Sequence, residues 1–311
     1  MKLYSAMSEL GAGTRGASLG LEALKFASLK FDPDFFMLRE VQKIKTENKW
    51  LFKDSPRKFA RRLDGIVRMY NNIEETLGNG LKEEPIIIFT GDHSNAGGTI
   101  AGIKKAYPNK RLGVIWVDAH ADLHSPYTSP SGNVHGMPLA TALQQDNLKN
   151  QNNSPSEDTI AMWEQMKGDQ QRLQYHDLFY IAMRSAEEPE ISLVKEYNIP
   201  NITVDELRAI GTAEAAKQAL EYLSECEMIY ISFDVDSMDP SISRGTGTPV
   251  EHGLTDTEAR DLLLALVEDS RLCCLEVTEI NPLLDMKGNS MAETAFQIIK
   301  PVIEKLENKL D

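Results

Sequence analysis

The sequence predicts a single-domain α/β protein with a mainly parallel sheet flanked by helices on both faces. Short, strongly apolar runs of strand length recur along the chain and alternate with stretches of helical periodicity. This alternation is typical of parallel sheets, whose helices return the chain across both faces. The length of 311 residues fits one large domain of this class, and we expect that domain to cover residues 1–311.

Six short apolar runs carry the strand prediction. In chain order they are KLYSAM from residue 2, PIIIFTG from 85, LGVIWVD from 112, LFYIAM from 178, MIYISFDVD from 228 and RLCCLEVTEI from 271. Each is apolar at consecutive positions, as expected for a strand that is buried on both faces.

Helical patterns fill the intervals between these runs. TIAGIKKAY follows the run at 85, TDTEARDLLLALVED follows the run at 228, and AETAFQIIKPVIEKLENKL closes the chain. Thr255 or Asp256 is the expected N-cap of the second of these helices, because their side-chain oxygens accept hydrogen bonds from first-turn amides. The segment 144–177 is rich in Gln, Asn, Asp and Ser, and we expect a polar surface insertion with one helix around Met162.

The composition argues against several classes of function. The chain has 47 acidic and 33 basic residues, a formal net charge of −14, which disfavours nucleic acid or an anionic membrane as the partner. There is no apolar run of the roughly 18 residues that span a bilayer, and the first residues lack the apolar core of a signal peptide. Cys226, Cys273 and Cys274 form neither a CxxC pair nor a disulfide framework, so we expect buried thiols and a cytoplasmic location.

A glycine motif near the N terminus leaves a second function open. GAGTRG places Gly11, Gly13 and Gly16 in the spacing of a dinucleotide-binding turn, ahead of a helical segment. Asp32 or Asp34 could supply the acid that contacts a ribose, but neither follows a clear second strand. A plain strand-to-helix turn is the favoured interpretation, and absorbance from a bound nucleotide would distinguish a nicotinamide-dependent oxidoreductase.

Acidic residues and histidines cluster where three of the apolar runs end. In chain order they are Asp92, His93, Asp118, His120, Asp122, Asp234 and Asp236. Within DAHAD and DVD these side chains are two positions apart, so an extended backbone would point them to the same side. Because the carboxyl ends of parallel strands share one edge of a sheet, we expect the three groups to meet there. Asp92 fits a turn or cap residue.

This density of carboxylates predicts bound metal ions. Buried carboxylates repel one another and each costs several kcal/mol unless cations compensate the charge. The donor set is rich in oxygen, with two imidazoles and no thiolate, which favours Mn²⁺ over structural Zn²⁺. Four aspartates balance two divalent ions, so the pattern predicts a two-metal site with its ions roughly 3.5–4 Å apart. A mononuclear zinc deacetylase would need neither His93 nor a second D-x-D pair.

Six sequence blocks occur in an order that resembles the arginase/agmatinase (ureohydrolase) family. They are GDHS, DAHAD, SGNVHGMPL, SFDVDSMDP, GTGTPVEHGLT and EVTEINP, and they cover most of the chain from about Glu9. DAHADLHSPY, HGMPL and EVTEINP are most similar to bacterial arginases. The resemblance implies an arginase-like parallel α/β sheet with a binuclear manganese cluster at its edge, and a homo-oligomer that is trimeric or hexameric.

The resemblance also implies the ligands of two Mn²⁺ ions per chain. One ion would be held by His93, Asp118, Asp122 and Asp234, and the other by Asp118, His120, Asp234 and Asp236. Asp118 and Asp234 would bridge the two ions. A hydroxide formed from a bridging water would then attack the guanidinium carbon of L-arginine and give L-ornithine and urea.

Three residues receive catalytic roles from the same resemblance. Asp122 would take the proton from the tetrahedral intermediate, and Glu279 would pair with the guanidinium and hold it in place. His135 would shuttle protons to the leaving amine or from solvent. An inactive family member that serves as a binding protein is disfavoured, because it would have no need to keep a repulsive acid cluster together with Glu279.

The residues expected at the far end of the substrate are Ser131, Asn133, Glu187, Thr248 and His124. Ser131 and Asn133 match the loop that grips an α-carboxylate in arginases. Glu187 stands where arginases often carry an aspartate near the α-amino group, with Glu190 as a further acid on that loop. Thr248 is expected in the wall of the active site.

Three departures from the family pattern affect the choice of substrate. His124 stands where many arginases have asparagine, and His252 stands where glycine is common. Arg244 adds a cation that could receive a second carboxylate, as in formimidoylglutamate. However, formimidoylglutamases generally lack the histidine of HGMP, and an agmatinase would not need SGN. An arginase acting on a small amino acid is the favoured prediction, and formimidoylglutamase, agmatinase or another guanidino hydrolase is the alternative.

Overall fold

One eight-stranded sheet lies at the centre of the protein, whose computed structural model describes residues 1–81 and 84–309. Its strands are β1 (Lys2–Ala6), β2 (Val41–Lys43), β3 (Ile86–Thr90), β4 (Leu112–Val117), β5 (Leu178–Ile181), β6 (Asn201–Ile202), β7 (Met228–Asp234) and β8 (Leu272–Thr278). All neighbours pair in parallel, in the order β2-β1-β3-β8-β7-β4-β5-β6. The predicted fold class is confirmed, and each of the six apolar runs contains one strand.

Helices connect these strands throughout the described residues. They are α1 (Gly20–Phe31), α2 (Leu63–Gly80), α3 (Asn95–Ala106), α4 (Pro138–Leu143), α5 (Glu157–Lys167), α6 (Glu188–Glu196), α7 (Val204–Ile210), α8 (Thr212–Tyr222), α9 (Asp256–Leu266) and α10 (Ser290–Asn308). Thr255 caps α9: its hydroxyl accepts the Glu258 amide at 3.1 Å, and the Glu258 carboxylate accepts the Thr255 amide at 2.8 Å. Within residues 1–81 and 84–309, no helix combines the length and apolar character needed to cross a bilayer.

Alternate residues of each central strand enter two separate hydrophobic cores. In β3, Ile87 and Phe89 join the core beneath α1, α8, α9 and α10, whereas Ile86 and Ile88 join the core beneath α2, α3 and α4. This follows from the two-residue period of a strand, which sends successive side chains to opposite faces. Since both faces are covered, a central strand has no polar side and its sequence reads as a continuous apolar run.

The sequence pattern does not predict the two edge strands. β2 has the sequence VQK and β6 has the sequence NI, so neither is long or apolar enough to stand out. Edge strands are less fully buried than central strands, so they can be short and polar. Short, polar edge strands also protect a sheet against pairing with other chains. Their weak signal therefore follows from their position in the sheet.

The polar segment 144–177 contains the predicted helix, which is α5. Trp163 in this helix is fully buried in a core that it shares with Leu63 and Ile66 of α2. The Trp163 indole nitrogen donates to Asp146 Oδ1 at 2.7 Å, and Lys167 Nζ donates to the same oxygen at 2.7 Å. The segment is therefore fixed to the helical layer over one face of the sheet, although most of its residues are polar.

The GAGTRG motif forms the turn between β1 and α1. The amide of Gly11 donates to Asp92 Oδ2 at 2.8 Å, and the amides of Gly16 and Ser18 donate to Glu9 Oε2 at 2.8 and 2.9 Å. Gly16 has φ 118°, a conformation that side-chain-bearing residues rarely adopt. The protein's own carboxylates thus occupy amides that a dinucleotide phosphate would need, which supports the interpretation as a plain turn.

Candidate metal centre and active site

Four adjacent strands bring the predicted site residues to one edge of the sheet. His93 follows β3, Asp118 follows β4, Asp234 is the last residue of β7, and Glu279 follows β8. In the sheet these strands are neighbours in the order β3-β8-β7-β4. Their carboxyl ends therefore meet in one crevice, the usual location of ligand sites in open parallel sheets.

The first group of candidate ligands surrounds His93. Its Nδ1 lies 3.0 Å from Asp118 Oδ2, 3.1 Å from Asp122 Oδ2 and 3.1 Å from Asp234 Oδ2. All four side chains are buried or nearly so. One nitrogen lone pair and three carboxylate oxygens thus converge on a volume that suits a single divalent ion.

Two neighbours fix the orientation of the His93 ring. The ring stacks on Trp116 with centroids 4.1 Å apart and planes 5° from parallel. Its Nε2 lies 2.7 Å from Ser232 Oγ. When Nε2–H donates to this hydroxyl, the lone pair of Nδ1 faces the carboxylates, which is the arrangement found at histidines that bind metal ions.

The second group of candidate ligands shares Asp118 with the first. His120 Nδ1 lies 3.1 Å from Asp236 Oδ2 and 3.4 Å from Asp118 Oδ1. The donor atoms of Asp118, His120 and Asp236 lie within 4.8 Å of one another, as do those of His93, Asp118 and Asp234. Asp118 therefore has the position of a bridging ligand, whereas Asp234 falls in the first group only and its bridging role stays a prediction.

The expected extended backbone from Asp118 to Asp122 is wrong. β4 ends at Val117, and Asp122 has a left-handed backbone with φ 52°. The side chains converge because the chain turns here: the His120 amide donates to Asp118 Oδ1 at 2.7 Å. Glu279 is also left-handed, with φ 65°. Left-handed conformations of residues other than glycine cost energy and are concentrated at functional sites.

The electrostatics of the cluster call for nearby cations. Burial and the carboxylate of Asp118 raise the pKa of Asp122 to about 7. Burial opposes protonation of His120, but the carboxylates of Asp236 and Asp118 raise its pKa to about 12. Protonated imidazole thus neutralises part of the carboxylate charge. Divalent ions can take over this role, because metal binding displaces protons from its ligands.

Unpartnered buried atoms support a fit to metal ions. Among the described residues, His93 Nδ1, Asp118 Oδ2 and Glu279 Oε2 are buried and make no hydrogen bond of acceptable geometry. Buried polar atoms normally have a partner. The first two are 3.0 Å apart at the centre of the first ligand group, so a shared cation would satisfy both.

A pocket of about 310 Å³ opens above the two ligand groups. Its walls include all six predicted metal ligands and, farther out, His124, Ser129, Ser131, Asn133, His135, Glu187, Glu190 and Thr248. Gly132 has φ 71°, and an added Cβ would lie 2.0 Å from the Lys58 carbonyl oxygen, so the sharp turn between Ser131 and Asn133 needs glycine.

Glu279 lies just beneath this pocket, against its wall. Its Oε1 accepts the His93 amide at 2.9 Å and lies 3.4 Å from His135 Nδ1. Burial opposes protonation of His135, but the Glu279 carboxylate raises the pKa of His135 to about 9. The acid and the histidine predicted to act on the substrate are therefore direct neighbours.

The outer end of the pocket holds an acidic group around His124. Its Nε2 lies 3.3 Å from Glu190 Oε2 and 3.4 Å from Glu187 Oε2, and its Nδ1 lies 3.1 Å from Thr128 Oγ1. Glu190 also accepts the amides of Leu123 and Glu187, both at 3.0 Å. Burial raises the pKa of Glu190 to about 7 against the effect of these amides.

Two residues noted in the sequence lie away from the pocket. Arg244 is exposed and is not part of its lining. His252 is also exposed and has φ 63°, which explains why glycine suits this position. Thr248 does line the pocket and also donates to Asp236 Oδ2 at 3.0 Å, so it orients a candidate ligand.

Sequence reasoning missed three serines of the site. Ser129 and Ser185 line the pocket, and Ser232 contacts His93. Ser232 precedes Asp234 by two positions in β7, so the strand period could have placed both on one side. Ser185 follows β5, another strand whose carboxyl end faces the crevice.

Metal removal is expected to lower the melting temperature of the protein. At a metal concentration of about 100 times Kd, each ion that binds only the folded state stabilises it by about 2.7 kcal/mol. Melting curves in chelator and in Mn²⁺ at equal ionic strength would measure the difference. Equal melting temperatures would contradict a metal site in this cluster.

Comparison with known proteins gives one consistent family. The family model described as the arginase family matches residues 3–303. An arginase of Bacillus subtilis (strain 168) is 30% identical over 302 residues, covering 96% of this chain and 95% of the relative. The structure of Entamoeba histolytica arginase in complex with L-ornithine has a TM-score of 0.81 at 25% identity, covering 97% of this chain and 99% of that one. A formimidoylglutamase of Bacillus subtilis has a TM-score of 0.74 at 18% identity, covering 98% and 87%, a likeness in fold alone.

Proposed function

The chain is a hydrolase of the arginase family, and on this premise we propose that it cleaves the guanidino group of L-arginine to give L-ornithine and urea. The observation that carries this choice is the outer end of the pocket, where hydrogen-bond donors and carboxylates occur together. An α-amino acid presents both a carboxylate and an ammonium group, so it needs both kinds of partner.

The two kinds of partner come from different segments of the chain. Ser131 and Asn133 lie on the loop after β4, with hydroxyl and amide groups that can donate to a carboxylate. Glu187 is the N-cap of α6 at the end of the loop after β5, and Glu190 lies in the first turn of that helix; both carboxylates can accept from an ammonium group. His124 connects these two glutamates to the loop that carries Asp122, because it contacts both carboxylates and is two residues from Asp122.

The predicted ligand set suits two Mn²⁺ ions. We assign His93, Asp118, Asp122 and Asp234 to one ion, and Asp118, His120, Asp234 and Asp236 to the other. Bound at this position, two divalent ions lower the pKa of water enough to supply a nucleophile at neutral pH.

Side chains of the protein would orient the substrate and transfer the protons. Glu279, whose Oε2 lacks a partner among the described residues, would pair with the planar guanidinium and orient its carbon toward the metal groups. Asp122 would accept a proton as the tetrahedral carbon forms. His135 would deliver a proton to the departing amine, and its contact with Glu279 keeps it beside that group.

Other amidines of the family fit the pocket less well. Formimidoylglutamate carries a second carboxylate, but Arg244, the cation suggested for it, is exposed outside the pocket. Agmatine has no carboxylate for Ser131 and Asn133 to bind, so it would lose their contribution to transition-state binding. The pocket therefore favours arginine over both.

The direct test is a parallel assay of three substrates. Metal-stripped protein reconstituted with Mn²⁺ is assayed with L-arginine, agmatine and N-formimidoyl-L-glutamate, and bound metal is counted in the same sample. We expect about two ions per chain and a kcat/KM for L-arginine at least about 100-fold above that for agmatine. Turnover of another amidine in preference to arginine would contradict the substrate assignment but not the metal site.

A matched pair of variants tests the outer end of the pocket. Glu187→Gln is expected to raise KM for L-arginine, because it removes one of the carboxylates that we propose bind the ammonium group of the substrate. Glu188→Gln is the control, because Glu188 is the next residue, is exposed and is not part of the pocket lining. Equal KM values in the two variants would show that Glu187 does not contact the substrate.

A further inference from the structure

The Arg184 guanidinium is surrounded by backbone carbonyl groups beside the metal-ligand loops. Its Nε donates to Glu251 O at 2.9 Å, Nη1 to Ala182 O at 3.0 Å and Ser237 O at 3.2 Å, and Nη2 to Val250 O at 2.7 Å and Asp236 O at 3.0 Å. A guanidinium has five N–H donors. All of them are thus used on main-chain oxygens, and Met238 O lies at a longer 3.5 Å.

These carbonyls belong to three separate segments of the chain. Ala182 directly follows β5 and has a left-handed conformation with φ 70°. The second segment is the turn from Asp236 to Met238, which carries a candidate metal ligand. The third is the 250–251 turn, just after Thr248, whose hydroxyl donates to Asp236 Oδ2. Met238 also forms an isolated parallel bridge with Leu254, three residues after the third segment. The side chain of Arg184 contacts all three segments at once.

The backbone of Arg184 binds the other metal-ligand loop. Its amide donates to Ala119 O at 2.9 Å, and the Ser185 amide donates to the same oxygen at 2.8 Å. Ala119 lies between Asp118 and His120, and His120 forms a parallel bridge with Ser185. Arg184 therefore contacts both loops that supply the second ligand group.

We propose that Arg184 is a positioning residue that holds Asp236 in register with Asp118 and His120, and so creates the second metal site. The inference rests on the proposed function only in requiring that these groups bind metal.

Lysine cannot replace arginine in this role. An ammonium group has three donors at one point, so at least two of the five short carbonyl contacts would be lost. Arg184→Lys keeps the positive charge and most of the buried stem, which makes it the variant most able to fold. Arg208→Lys is the matched control, because Arg208 donates to the nearby Gly253 O at 3.0 Å and pairs with Glu258 but contacts no ligand loop.

The experiment measures Mn²⁺ binding to metal-stripped wild type, Arg184→Lys and Arg208→Lys by the paramagnetic resonance signal of free Mn²⁺, with circular dichroism on the same samples. We expect two ions in wild type and in Arg208→Lys. In Arg184→Lys we expect one ion to bind about 10–100-fold more weakly while the other keeps its affinity. Losses of this size are typical when a residue that holds a metal ligand in place is replaced. Excess Mn²⁺ should restore the second ion.

Three outcomes for Arg184→Lys would overturn the proposal. In the first, Arg184→Lys binds both ions as wild type does. In the second, both ions weaken equally, which would indicate a general loss of structure. In the third, Arg184→Lys fails to fold, which would assign the residue to the stability of the whole chain. Fewer than two ions in the wild type would overturn the two-metal proposal itself, and this inference with it.

Discussion

Asp118→Asn is expected to abolish binding of the metal pair and to lower kcat/KM for L-arginine by about 10³-fold or more. Asp118 is the residue common to both ligand groups: Oδ2 lies 3.0 Å from His93 Nδ1, and Oδ1 lies 3.4 Å from His120 Nδ1. Asparagine has nearly the same shape, but it removes the charge and turns an N–H group toward one of the two sites. The loss of several kcal/mol of metal-assisted charge stabilisation gives this magnitude.

Asp239→Asn provides the control for this variant. Asp239 lies three residues after Asp236, accepts the amides of Ser241 and Gly253 at 2.9 and 3.1 Å, and does not line the pocket. Its replacement should cost about 1 kcal/mol of unfolding free energy and leave the metal count unchanged. Metal content, Mn²⁺ affinity and kcat/KM should be measured on both proteins. An Asp118→Asn enzyme that still holds two ions tightly would refute the bridging role.

Residues at strand ends could be predicted because a strong local signal locates them. His93, Asp118 and Asp234 each follow or end a continuous apolar run, and that run gives the position of a buried strand. Parallel strands then bring such positions to one edge, whatever their distance along the chain. The metal ions could be predicted as well, because so many buried carboxylates need cations to compensate their charge.

Local periodicity could not predict how the loops beyond the strand ends are shaped. Asp122 reaches His93 through a left-handed turn rather than through the extended backbone that the spacing suggested. The contact between His124 and Glu190 joins a loop to the first turn of α6, 66 residues away, and it depends on how α6 begins rather than on any local sequence pattern. Contacts of this kind form only after the sheet has placed both loops.

Arg184 shows the same limit for a single side chain. In the sequence it stands in RSAEEPE, near three acids, and no local pattern marks it as part of a site. In the structure its donors are satisfied by carbonyls from segments that are separated by up to 69 residues, between Ala182 and Glu251. Carbonyl groups are present at every residue and leave no trace in a sequence, so a site made of main-chain oxygens cannot be predicted from residue types.

Glu279→Gln is expected to lower kcat/KM for L-arginine by about 10²–10³-fold while both metal ions stay bound. Glu279 contributes no atom to either ligand group, and its Oε1 is already held by the His93 amide at 2.9 Å. Glutamine can keep that hydrogen bond and the shape of the side chain. What it loses is the negative charge on Oε2, the buried oxygen that lacks a partner among the described residues and that we propose pairs with the guanidinium.

Glu276→Gln is the matched control for this second variant. Glu276 is a fully buried acid in β8, three residues before Glu279, and it accepts hydrogen bonds from Thr90 Oγ1 at 2.8 Å and Tyr230 Oη at 3.0 Å. The Glu276→Gln protein should be less stable than wild type but should keep its kcat/KM and metal content. If Glu279→Gln instead loses its metal ions, then Glu279 acts through His93 on the metal site and does not bind the substrate. We expect Glu279→Gln to bind both metal ions but to turn over slowly, and Asp118→Asn to bind neither ion. Together the two variants would show that substrate orientation and metal binding depend on different residues of one pocket.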